Sequence, residues 1–137
     1  FGLLTMTNIL PSTEVVGGHQ VSASDKVLLV ENNIIAPNER IEYFYSEGFL
    51  SIKEGGSILT DERVIVYWQK DDGAIERGWL PFGQIGSIEL TEEGNYLNDS
   101  TYRVTSFDNQ YWLDLYLSFE NRGDIKFVNA LRKKVGN

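Results

Sequence analysis

From Ile41 onward the sequence changes face every second residue, in short runs divided by glycine and by polar corners. Ile41, Tyr43 and Tyr45 alternate with Glu42 and Phe44, the period of a strand. The run continues past Gly48 to Ile52, and an interior glycine there predicts a bulge or sharp bend in a long first strand. Gly55-Gly56 turns the chain, Ser57 to Thr60 read as a second strand, and the Asp61-Glu62 corner leads into a third from Arg63 to Lys70. Asp71-Asp72-Gly73 is a hairpin signal that returns the chain through Ile75 to Leu80. Pro81 to Ile85 is too short for a strand and reads as one helical turn. A fifth strand follows over Gly86 to Thr91, then a polar loop from Glu92 to Ser100. The sixth strand carries Tyr102, Val104 and Ser106, and Asp108-Asn109 turns it into a seventh from Tyr111 to Ser118. Strands this closely spaced, with turn chemistry between them, predict an antiparallel sandwich or barrel rather than parallel βαβ units.

The period becomes helical at both ends of this strand-rich body. Pro11 to Ser24 carries turn-formers and reads as a linker. Ser24 is placed as an N-cap, with Asp25 in the first turn, where the helix dipole favours an acid. Val27, Leu28, Val30 and Ile34 make a short amphipathic helix that Pro37 must end by Ala36. At the other end Ile125, Val128, Leu131 and Val135 form one stripe of a closing helix near Gly123 to Val135. Arg132, Lys133 and Lys134 crowd its last turn, and Gly136 follows as a C-cap. Two regions result: residues 1–23 as a flexible or post-membrane segment, and 24–137 as one domain.

Composition changes what the domain can bind. The 137 residues carry a net charge of −8 and no cysteine. That excludes disulfides, thiol nucleophiles and thiolate zinc sites. The charge is uneven: fourteen acids against five bases from Ile41 to Ser118, but two against five from Phe119 to Asn137. The net charge of −8, concentrated in the body, argues against a nucleic-acid partner, since phosphates select basic surfaces. Phe1 is not an initiator methionine, and Phe1 to Leu10 is apolar over about half the ~20 residues that span a bilayer. This run reads either as a loosely docked terminus or as the outgoing end of a membrane helix or signal sequence. The second reading places a tether upstream of Phe1 and the domain beside a membrane; the first leaves a cytoplasmic location open.

The order of seven short antiparallel strands closed by one amphipathic helix resembles the pleckstrin-homology fold. Gly56-Ser57-Ile58-Leu59-Thr60-Asp61-Glu62-Arg63-Val64-Ile65 is similar to bacterial pleckstrin-homology-like and GRAM-like domains, where a short strand ends in Thr and an Arg opens the next. Leu80 to Ile88 resembles the same families' approach to their fifth strand, and Phe127-Val128-Asn129-Ala130-Leu131 their closing helix. The resemblance covers about Asn38 to Asn137. It implies a mainly β, bent seven-stranded antiparallel barrel or sandwich capped by a C-terminal α-helix, here with a short N-terminal helix added. It also implies a domain that binds lipids, peptides or proteins.

Phosphoinositide-binding members surround the headgroup with cations from the loop between their first two strands. Here that loop offers Lys53 beside Glu54, while Lys70 and Arg77 flank the next hairpin among Asp71, Asp72 and Glu76. Lys53, Lys70 and Arg77 are therefore the ligand-binding candidates, and their acidic neighbours depart from the lipid-binding pattern. Arg63 reads as structural, with Thr60 capping the turn and the guanidinium over an aromatic ring. His19 is the one histidine, without partners for zinc. No Gly-x-Ser-x-Gly, nucleotide loop or split carboxylate pair marks an enzyme, so no catalytic residue, cofactor or metal is expected. The loop acids with Asn95, Asn98 and Asp99 lack EF-hand spacing, and Asn98-Asp99-Ser100 is a glycosylation sequon with meaning only in a secretory pathway. Trp68 and Trp79, flanking the Asp71 to Gly73 turn, are expected to pack across the hairpin. Trp112 is expected to be half core and half surface. The sequence thus predicts a non-catalytic interaction or scaffold module, binding a protein partner or itself through a sheet edge or aromatic rim, with lipid binding as the alternative.

Overall fold

The computed structural model describes residues 11–136, so the apolar run Phe1 to Leu10 lies outside the described residues. Among the described residues eight strands form two antiparallel sheets. The first has the order β1 (Val16–Gly17), β2 (Ile41–Ser46), β3 (Gly55–Thr60), β4 (Arg63–Gln69) and β5 (Ile75–Pro81). The second has the order β6 (Ile85–Glu92), β7 (Ser100–Ser106) and β8 (Trp112–Leu117). Helix α1 spans Ala23–Glu31 and helix α2 spans Gly123–Val135. Among the described residues no ladder joins the two sheets, so the architecture is a sandwich and not a closed barrel. The chain crosses between them at Pro81, which lacks the N–H to extend a ladder, through a single helical turn at Phe82–Gln84.

The first sheet is buried on both faces. On its inner side Leu59, Val64, Val66 and Leu80 meet Val104, Leu113, Leu115 and Leu117 of the second sheet. Phe127, Val128 and Leu131 of α2 close this core at one end. On its outer side Ile58, Ile65 and Tyr67 meet Leu29, Ile34 and Ile35 from α1 and the turn after it. Each fully buried aliphatic contributes about 2 kcal/mol. This two-sided burial explains why β3 is buried at every position and why Val64-Ile65-Val66-Tyr67 shows no polar alternation.

Three expectations shift. The stretch Pro11 to Ser24, read as linker, supplies β1, which pairs Val16 with Phe44 and Gly17 with Tyr43, and it buries Val15 and Val21. The N-cap of α1 is Ser22, whose hydroxyl accepts from the Asp25 N–H at 3.1 Å. The first long strand does not continue to Ile52. It ends at Ser46 because the Glu54 carboxylate accepts from the N–H groups of Phe49 and Leu50, holding a loop that leads into the turn Ile52–Glu54.

Helix α2 is fixed by its buried acid. Asp124 accepts from Ser100 Oγ at 2.6 Å, from the Arg122 guanidinium and from the Ile125 N–H. Burial opposes the charge, but these bonds together hold the carboxyl below its ordinary range. The basic last turn is used locally. Arg132 donates to the Ile88 carbonyl at 3.2 Å, and Lys134 pairs with Glu42 of β2 at 2.6 Å.

Candidate functional site: an aromatic cleft beside the eighth strand

Strand parity decides where the tryptophans go. Across the β4–β5 hairpin Ile65 stands opposite Trp79, and Trp68 opposite Glu76. The two indoles therefore project from opposite faces of the sheet, and the expected cross-hairpin packing does not form. Trp79 lies on the outer face between Arg63 and Arg77, whose guanidinium carbons stand 5.2 and 5.6 Å from its ring centre. Trp68 lies on the inner face, beyond the end of the core, where the sandwich opens toward β8.

That opening is a cleft of about 350 Å³. Its floor is Val66, Ser57 and Leu113, and its walls are Trp68, Tyr111, Trp112 and Tyr116. All four aromatics are more than 40% exposed, and together they leave a wide ring surface in water at one place. Trp112 sits on the outward face of β8 with Arg103 stacked on it at 5.2 Å, and Arg103 is bound in turn by Asp114 at 2.9 and 3.0 Å. Trp112 also lines the cleft.

Glu47 supplies the charge. It follows the last residue of β2, and its Oε1 would lie 2.9 Å from a Cβ at position 55, so the carboxyl rests on the bare backbone of Gly55. Desolvation there, and then the negative charge of Asp99, push its pKa up to about 7. Although Glu47 is exposed as a residue, its carboxyl faces the low-polarity cleft wall. Among the described residues no donor bonds it and no cation pairs with it. Asp99 is itself raised by burial and is held by the Tyr45 hydroxyl at 3.0 Å.

The sequence-derived candidates sit elsewhere. Lys53 is exposed on the turn Ile52–Glu54, Lys70 pairs with Glu76 at 3.5 Å, and Arg77 stacks on Trp79. All three lie toward the same end of the β3–β4–β5 ladder, but two are already engaged. Arg63 is structural as expected: Thr60 Oγ1 accepts from the N–H groups of Glu62 and Arg63, and the guanidinium covers Trp79. Its main partner escaped the sequence reading. Glu39, 8% exposed, takes two bonds of 2.8 Å from Arg63 and one of 2.7 Å from Thr60. Burial works against the Glu39 charge, yet those bonds and one from the Ala36 N–H hold its pKa at about 2. Among the described residues no cluster of His, Asp and Glu could hold a metal ion, and no helix is long and apolar enough to cross a membrane.

No family model and no curated protein matches this sequence. Solved structures do. A DUF1696 family protein with a pleckstrin-homology domain from Shewanella loihica PV-4 superposes with a TM-score of 0.60 at 13% identity, over 89% of this chain and 97% of that one. A pleckstrin-homology domain from Shewanella amazonensis SB2B gives 0.54 at 13% identity, over 81% of this chain and 97% of that one. At this identity the likeness is one of fold, and the fold is pleckstrin-homology-like.

Proposed function

We propose that this chain is a non-catalytic interaction module, and that a protein docks in the cleft beside β8. The supporting observation is convergence. Trp68, Tyr111, Trp112 and Tyr116 come from two sheets to one opening, and such amphipathic side chains are the usual anchors of protein contacts. Among the described residues the hydroxyl of Ser57, the cleft's serine, bonds to no carboxylate or histidine, which favours recognition over catalysis. A GRAM-like affiliation within the wider fold, and a hydrophobic tether ahead of the domain, belong to the same reading. The apolar run Phe1 to Leu10 motivates the tether, and the gene sequence upstream checks it.

The rival reading is headgroup binding through Lys53, Lys70 and Arg77, favoured by their position at one end of one ladder. Charge weighs against it, because an acidic body is repelled by anionic bilayers within a Debye length of ~8 Å. Liposome sedimentation with and without phosphoinositide decides between them. No sedimentation is expected. Salt-sensitive sedimentation abolished by the double substitution K53E and K70E would overturn the protein-docking reading.

A further inference from the structure

The cleft has an edge as well as walls. β8 is hydrogen-bonded to β7 alone, so one of its two backbone edges has no ladder partner among the described residues. The Tyr111 carbonyl accepts from the Ser106 N–H at 2.8 Å, so the polar groups of position 111 face β7. In an antiparallel strand these directions alternate. The N–H and C=O groups of Trp112, Asp114 and Tyr116 therefore point away from β7, and these three residues line the cleft. An open edge of this kind is a template for one more strand.

The lining specifies the side chain such a strand would present. Five aromatic residues, the four exposed rings and Tyr67, line the cleft with two carboxylates, Glu47 and Asp114, and among the described residues no lysine, arginine or histidine lines it. Asp114 is neutralised by Arg103, whereas Glu47 has no hydrogen-bond or ion-pair partner among the described residues. Aromatic faces attract a cation, and a lone carboxylate beside them completes its neutralisation. Resting on the protein-docking reading of this same cleft, we propose a specific occupant. It is an extended peptide segment that pairs with the free edge of β8 and places a lysine or arginine side chain among the rings, its charge at Glu47.

The groups facing Glu47 make the interaction sensitive to protons. Asp99 from the β6–β7 loop, Tyr45 from β2 and Tyr67 from β4 lie near it, Asp114 of β8 borders the same cleft, and none of them supplies positive charge. A cation competes with the proton that this carboxyl retains up to about pH 7. Affinity then falls by up to about tenfold for each pH unit below that value.

The test uses the whole chain and a blocked six-residue peptide, Thr-Val-Thr-Lys-Val-Thr, titrated by tryptophan fluorescence and calorimetry. Three comparison probes are the same peptide with glutamine for lysine, the same peptide with alternate backbone nitrogens methylated, and acetyl-lysine amide alone. The lysine peptide is expected to bind at least tenfold more tightly than any of the three. E47Q is expected to erase the preference for lysine over glutamine while the protein stays folded, and W68A to weaken all peptide binding. Equal binding of the lysine and glutamine peptides, or a preference that survives E47Q, would overturn the cation assignment. Equal binding of acetyl-lysine amide, or indifference to backbone methylation, would make the cleft a small-amine site and defeat strand pairing. If no probe binds, the proposal falls, while protein docking itself stands or falls separately on the liposome result.

Discussion

The two faces of the first sheet each pair a glutamate with a tryptophan, and they use these ingredients in opposite ways. On the outer face Glu39 is enclosed by Arg63, Thr60 and the Ala36 N–H, and Arg63 also covers Trp79. Glu39 and Arg63 neutralise each other there, and the carboxyl sits at about 2. On the inner face Glu47 and Trp68 border the same opening with no cation between them, and the carboxyl sits at about 7. A closed set of partners marks a structural joint; an incomplete set beside exposed rings marks a place for something else. Residue type alone would not separate them.

The largest effect expected from breaking this contrast is at the closed corner. E39A should cost about 3 kcal/mol in urea unfolding, since it leaves the part-buried Arg63 guanidinium and the buried Thr60 hydroxyl without their shared acceptor. R63K keeps the charge but loses the paired bonds and the stack on Trp79, and should cost about 1.5 kcal/mol. At the open cleft E47Q should stabilise the fold at pH 8, by no more than about 1 kcal/mol because the cleft admits solvent. W68A, at a half-exposed ring, should change stability by less than about 0.5 kcal/mol.

pH sharpens the same comparison, with opposite signs. Glu39 is depressed below its ordinary value of 4.5, so its stabilisation is complete above that value and is lost as pH falls toward about 2. Glu47 is raised, so its penalty is absent below 4.5 and grows as pH climbs to about 7. The advantage of E47Q should therefore vanish below pH 4.5, whereas the deficit of E39A should shrink only in stronger acid. Carboxyl-carbon NMR should find the two midpoints near 7 and near 2. Coincident midpoints would erase the distinction between the two sites.

Local signals carried much of the fold. The β4–β5 hairpin followed from Asp71-Asp72-Gly73, and the closing helix from the stripe Ile125, Val128, Leu131. What escaped was set by contacts far along the chain. A two-residue strand such as Val16–Gly17 has no period to detect, and exists because β2 offers an edge to it. The apolar continuity of β4 was visible, but nothing local said that α1 covers one side of it and the second sheet the other. The cleft was least legible. Its walls come from β4 and β8, more than forty positions apart. Facing was lost too, because Trp68 and Trp79 are separated by a turn that conceals which side each takes. Glu39 and Arg63 were both in plain view as charges, and only their meeting made them a joint.

The seam between the chain's two ends has a mechanical meaning. Thr13 Oγ1 donates to Glu120, its carbonyl accepts from Ser118 Oγ at 2.8 Å, and Asn121 donates to Glu14. Val15 lies so close to Gly123 that a Cβ there would meet it at 2.6 Å. A pull arriving through the residues before Pro11 would thus be borne first by these bonds and by the short β1–β2 ladder. Because Ser118 directly follows Leu117 at the end of β8, part of that load would pass into the strand that borders the cleft, so the seam would couple tension at the chain's entry to the β8 edge.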